Sequence, residues 1–187
     1  MLTIPVRDYA AGVAENLVPP DPGSLVVVVE YDEEWPREFS RQEARIRQAL
    51  GPLALEVHHA GSTSVPGLAA KAVIDVVLVV PDTDDEAAYA PALRAAGFTF
   101  ASREPEWFGH RLFKDRSPRV NVHVFGPGCV EVARMLAFRD HLRADEADRQ
   151  LYERTKRDLA TRSWVWVQDY ADAKSSVVAQ IMSRALT

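Results

Sequence analysis

The sequence predicts an α+β domain: a mixed sheet of about five strands with flanking helices and a helical C-terminal section. Three observations carry this reading. Short β-branched runs alternate with helical segments through the first two-thirds of the chain. The run Ala72 to Val80 is apolar on both faces, as a central strand must be. After Phe125 the apolar period becomes helical and stays so.

Residues 1–24 carry Pro5, Pro19, Pro20 and Pro22 with little periodicity, and read as an N-terminal arm before a domain over 25–187. Leu25 to Glu30 reads as a strand. Tyr31-Asp32 then caps a helix running to Leu50, with Pro36 in the tolerated first turn and Trp35, Phe39, Ile46 and Leu50 on one stripe. Gly51-Pro52 stops it. Leu53 to His59 and Ala72 to Val80 read as strands, Thr83 to Ala96 as a helix ended by Gly97, and 98–101, 109–114 and 119–125 as further strands. Helices are expected at 129–143, 146–161 and 168–186, the last with Tyr170, Ala173, Val177, Ile181 and Ala185 facing a core.

At 187 residues and 26% charged, the chain is long enough to bury a core without disulfides or structural metal. Cys129 is the single cysteine, so no intramolecular disulfide forms and no cysteine-rich zinc pattern exists. No secretory leader or membrane-length apolar run is found, and the expected location is the cytoplasm. A net charge of −5 argues against a chain devoted to nucleic acid but leaves room for a mononucleotide-sized partner.

The chemistry is expected around Gly61-Ser62-Thr63-Ser64, a turn between two strands. Its glycine, hydroxyls and amides suit phosphate oxygens at close range; the alternative is a turn that uses the residues turns prefer. Asp75 interrupts the doubly apolar strand and shares a face with Val73, Val77 and Val79. A carboxylate there needs a metal, a cation or hydrogen bonds, so it is the expected metal ligand and catalytic group; a purely structural ion pair is the rival. Asn121 and His123 lie on the less apolar face of their strand, and if that face also holds Asp75, an acid, an amide and an imidazole converge, with His123 placed for proton transfer. Lys71, Arg111, Arg139 and Lys174 are the candidate anion-binding cations, with Lys114, Arg143 and Lys156 behind them. Arg139 stands out because it interrupts an apolar helix segment, though a pair with Asp140 explains it more simply.

Three stretches resemble the GrpB family: Val29-Glu30-Tyr31-Asp32 through Trp35-Pro36; His59 through Lys71 with Asp75; and Leu136-Ala137-Phe138-Arg139-Asp140-His141-Leu142-Arg143. The resemblance spans about residues 25–186. That family is similar in turn to the nucleotidyltransferase superfamily, which implies a nucleotidyltransferase-like fold with Gly61 and Ser62 in its triphosphate loop and Asp75 as the first magnesium-binding acid. The second acid's place holds Val77, and the third's holds Asn121 or His123, so a single magnesium ion is the expected limit. A related domain joined to dephospho-coenzyme A kinase adds nucleotide or coenzyme A chemistry to what the resemblance implies. Two functions are therefore expected: magnesium-dependent nucleotidyl transfer to a small acceptor, or non-catalytic binding of a nucleotide or phosphorylated metabolite. A structural motif serving a protein partner is the third alternative.

Overall fold

A computed structural model describes residues 14–185; the first thirteen residues of the expected arm and the last two of the chain lie outside it. Among the described residues six strands form one sheet in the order β1-β4-β5-β6-β3-β2. They are β1 (Glu15–Asn16), β2 (Glu56–Ala60), β3 (Ile74–Val79), β4 (Thr99–Glu104), β5 (His110–Arg116) and β6 (Arg119–Phe125). The β3–β6 pair is parallel and the others are antiparallel, so the sheet is mixed. The helices are α1 (Trp35–Leu50), α2 (Glu86–Ala95), α3 (Val130–Ala144), α4 (Glu146–Ala160), α5 (Val167–Asp172) and α6 (Ser175–Ala185). None is long and apolar enough to cross a membrane.

Period-two alternation divides the sheet into two differently used faces. Ile74, Val76 and Leu78 of β3 with Val120, Val122 and Val124 of β6 join the main core, capped by Trp35, Ile46 and Leu50 of α1 and Tyr89 and Leu93 of α2. The opposite face carries Asp75, Val77 and Val79 beside Asn121, His123 and Phe125, in register across the parallel pair. Helix α3 covers the Val77, Val79 and Phe125 end through Val132. The Asp75 end is roofed by the C-terminal helices, where Tyr152, Val177 and Ile181 pack with Val65 and Leu68.

The structure corrects two expected elements. Leu25 to Glu30 is not a sheet strand: Val27 is 60% exposed, and among the described residues the segment's only ladder contact is the lone bridge of Val29 to Ala70. Branched side chains favour extended backbone, but they cannot supply a neighbouring strand. The sheet's edge is instead β1, from inside the proline-rich arm. The expected helix over 168–186 breaks at Ala173-Lys174. Its two halves answer to different cores, Tyr170 packing with Val26 and Leu159, and Val177 and Ile181 with Leu142 and Tyr152.

These placements predict unequal responses to the same truncation. Val122→Ala, at a fully buried sheet position, should cost roughly 2 kcal/mol, while Val27→Ala should stay within about 0.5 kcal/mol. Denaturant unfolding of both variants checks it; equal losses would put Leu25 to Glu30 back into the sheet.

Candidate functional site

The site starts at the end of β2. Gly61 adopts φ 65°, ψ −172°, a region open essentially to glycine, and a β-carbon on it would lie 2.2 Å from Asp75 Oδ2. The chain then makes one 3-10 turn over Ser62–Ser64. Its closing bonds use the Ser64 and Val65 amides, leaving those of Ser62 and Thr63 at the open end with no acceptor among the described residues. Arg143 of α3 donates from Nε and Nη2 to the Ser64 carbonyl and pins the turn to the helical layer.

Asp75 faces this turn from β3, directly opposite Ala60 and Asn121. Asn121 Nδ2 donates to Asp75 Oδ1 at 2.9 Å, and His123 Nε2 stands 3.7 Å from the same oxygen. His123 in turn meets His110 through Nδ1 and Nε2 at 3.1 Å, with the rings stacked. Burial pushes the Asp75 carboxyl up, but His123, the Asn121 hydrogen bond and then the Lys71 charge outweigh it, and the group lies below the ordinary aspartate range. The acid, amide and imidazole thus share one face.

Lys71, Lys156 and Lys174 line one small cavity together with the carboxylate. Burial depresses Lys71 to about 8 and Lys156 to about 7, Lys174 adding repulsion to each. Lys174 is lowered too, again chiefly by burial, with Asp75 and Asp172 opposing. It sits in the break between α5 and α6 and borders three adjoining cavities. The largest of these, about 230 Å³, runs from Gly61 and Ser62 past Arg139 to apolar walls of Met135, Phe138 and Leu142. A second, about 190 Å³, lies between Trp107 and His123 on one side and Ser175 and Val178 on the other.

Other expected residues fall less centrally. Arg139 lines the large cleft, but Nε and Nη2 bond Asp140 and Nη1 bonds the His59 carbonyl, so both its site reading and its ion-pair reading have a physical counterpart. The Thr63 hydroxyl donates to the Val73 carbonyl, and the Ser64 hydroxyl to the Gly61 carbonyl; both serve the loop's own shape. Ser64 borders none of the three cavities. Arg111 does not join the cluster. Its register opposite Val124 points it to the other face of the sheet, where Asp84 and Glu86 bind it. Lys114 is held by Asp21. Sequence reasoning gave no site role to Tyr152, beside the Ser62 hydroxyl and raised by burial to about 12, Tyr170, Arg134 or His110; the signals were the helical stripe through Tyr170 and the family resemblance of Tyr152 and of Tyr170 to Lys174.

Asp75 is the carboxylate here that could hold a magnesium ion, since magnesium accepts one or two carboxylates together with other oxygens and water. A pair of ions has no second acid: Val77 is fully buried against Phe125 and Val132. A separate acidic cluster, His141, Asp145 and Asp148, lies at the α3–α4 junction. There Asp145 caps α4, and Asp148 is already bound by His141 and Arg184.

The sheet order, the glycine-serine turn and the strand acid define a protein of nucleotidyltransferase-like fold. A Cid1 poly(U) polymerase bound to MgATP is similar with a TM-score of 0.50 and 12% identity over 72% of this chain and 45% of that one, a likeness of fold alone. Residues 25–184 match the family described as GrpB protein, and the chain belongs to that family. A UPF0157 protein of Halalkalibacterium halodurans is 54% identical over 160 residues, 86% of this chain and 82% of that protein. The crystal structure of GrpB from Enterococcus faecalis is similar with a TM-score of 0.74 and 29% identity, covering 86% of this chain and 97% of that one. A dephospho-CoA kinase of Mycolicibacterium paratuberculosis is 30% identical in an alignment of 174 positions that covers 79% of this chain and 40% of that protein.

Two measurements follow from the geometry. Gly61→Ala should cost about 1–3 kcal/mol from its backbone region alone and push the Asp75 carboxylate aside, so a variant as stable as the parent would contradict the close approach. The lysines set a pH dependence. Unfolded lysine titrates near 10.4, whereas Lys156 and Lys71 titrate near 7 and 8 in the fold. The unfolded chain therefore binds more protons above pH 7, and the ligand-free protein should gain stability from pH 7 to 9. The slope is up to about 1.4 kcal/mol per pH unit for each lysine neutral in the fold. Lys156→Met should flatten the urea-unfolding profile over that range.

Proposed function

We propose that this protein binds a nucleotide or another phosphorylated small molecule, with phosphate oxygens at the Gly61-Ser62 turn and the organic part in the cleft toward Phe138 and Leu142. One observation carries the reading: several cationic side chains, Lys71, Lys156 and Lys174 foremost, converge on a single carboxylate beside an open turn. Buried ammonium groups are costly without anions, and the nearby acids Asp75, Asp172, Glu153 and Asp21 act on these lysines only through space. Phosphate at this place relieves the surplus through charge-assisted hydrogen bonds. Ser62 supplies a hydroxyl, and Arg139 a positive edge at the mouth. The location proposed is the cytoplasm, where such metabolites are abundant.

A second reading is magnesium-dependent nucleotidyl transfer to a small acceptor, favoured by Asp75 occupying the strand position of the first acid in the likened fold. Bound magnesium would supply charge neutralisation at the transferring phosphoryl group. Asp75 would hold it, Asn121 would orient the carboxylate, and His123, 3.7 Å from that oxygen, would accept the acceptor's proton at Nε2. The absence of a second carboxylate weighs toward binding over transfer.

A thermal-shift screen of nucleotides and coenzyme A precursors, with and without magnesium, separates the readings. A ligand at a hundredfold over its dissociation constant adds about 2.7 kcal/mol. Asp75→Asn should abolish any magnesium-dependent increment and any turnover while preserving magnesium-free binding of the phosphorylated ligand. Turnover that survives Asp75→Asn would remove Asp75 from catalysis. No stabilisation by any phosphorylated compound would remove the binding reading itself.

A further inference from the structure

Behind the Gly61 turn lies a smaller well of about 60 Å³ that shares Ser62, Asp75 and Lys174 with the large cleft. Its remaining walls include Thr63, Lys71, Asn121, Lys156 and Tyr170. This is several times the roughly 10–15 Å³ that a cavity needs to admit a single water, room for a small polar group. One tetrahedral oxyanion fits; a nucleobase or a sugar does not.

The polar inventory is lopsided. Lys156 is only 2% exposed and donates to the Ala69 carbonyl. Lys71 and Lys174 lie near the Tyr170 ring, 5.4 and 4.7 Å from its centroid. Among the described residues no carboxylate stands within salt-bridge distance of any of the three; Asp75 acts on Lys71 and Lys174 through space. The Tyr170 hydroxyl is buried and has no hydrogen-bond partner among the described residues. An ammonium without an anion and a phenol without an acceptor each raise the energy of the folded state. Glu153 acts on Lys156, Asp21 on Lys71 and Asp172 on Lys174 through space as well, but none makes a direct ion pair with these lysines, and a single dianion with several acceptor oxygens in the well answers both shortages.

We propose that the well seats the terminal phosphoryl group of a phosphomonoester, with Lys71, Lys156 and Lys174 around its oxygens and the ester oxygen leading out to the cleft. This rests on the reading of the cleft as a phosphate site and narrows the ligand class. A phosphomonoester brings nearly two negative charges and three free acceptor oxygens. A phosphodiester brings one charge, and its second ester arm needs an exit that a well of this size lacks. Inorganic phosphate has the same head chemistry but leaves the apolar walls at Met135, Phe138 and Leu142 uncovered.

Isothermal titration at pH 7 tests the proposal with four probes: phenyl phosphate, methyl phenyl phosphate, inorganic phosphate and MgATP. Phenyl phosphate should bind at least tenfold more tightly than the diester and more tightly than inorganic phosphate. Lys71→Met and Lys156→Met should each weaken phenyl phosphate at least tenfold while the ligand-free melting temperature holds or rises, since each removes an uncompensated buried charge; a lysine with a merely structural role would lower it. Equal binding of monoester and diester, or an affinity unchanged in both lysine variants, overturns the proposal. Inorganic phosphate binding as tightly as phenyl phosphate overturns the ester assignment. MgATP binding that survives both substitutions, without phenyl phosphate binding, sinks the well and leaves the nucleotide reading standing; failure of all four probes sinks both.

Discussion

The carboxylate of Asp75 occupies space that a β-carbon on residue 61 would need. This close approach couples two elements that are separate in the chain: the turn takes its shape because residue 61 has no side chain, and the strand acid takes its place because the turn yields to it. Everything polar nearby is then arranged around a fixed negative charge. Asn121 donates to it from the parallel neighbour strand, and His123 follows one pleat along. The helical layer is tied to the same turn by Arg143 through the Ser64 carbonyl.

Electrostatics then decides what the cleft favours. A strand carboxylate under a protein roof requires compensation; His123, Asn121 and Lys71 supply it, and Lys156 and Lys174 line the same small cavity. Burial depresses the lysines while mutual repulsion deepens the effect. An anion reverses both terms, since it lowers the repulsion and supplies acceptors that burial has removed. A cation competes with three ammonium groups for one carboxylate. The C-terminal helices thus set the balance of charge around Asp75, and Val77, on the same face of the strand, places no second acid beside it.

The roof is also where the fold departs from simple patterning. A continuous helix over 168–186 would keep one stripe against one core. The observed break at Ala173-Lys174 lets Tyr170 and Ile181 pack into different clusters and places Lys174 at the junction of three cavities. Helix propensity in this segment has no strong breaker, and no glycine or proline marks the interruption. Tertiary packing overrides the local preference there.

By itself the sequence determined the α+β class, the central strand, the Gly61 turn and the face-sharing of Asp75 with Val77, because strand and helix periods are short-range and leave their signature in neighbouring residues. It also determined that Asn121 and His123 share one face, by alternation within a single strand. Which strand lies beside which, and which face each covering helix meets, is a matter of chain packing. That packing brought Lys156 and Tyr170 to Asp75, placed His110 behind His123, and sent Arg111 to the opposite face to meet Asp84 and Glu86. A lone lysine on a helix reads the same whether it faces water or a buried acid. Only the tertiary structure distinguishes the two, because the charge that gives the lysine its meaning is contributed by a distant part of the chain.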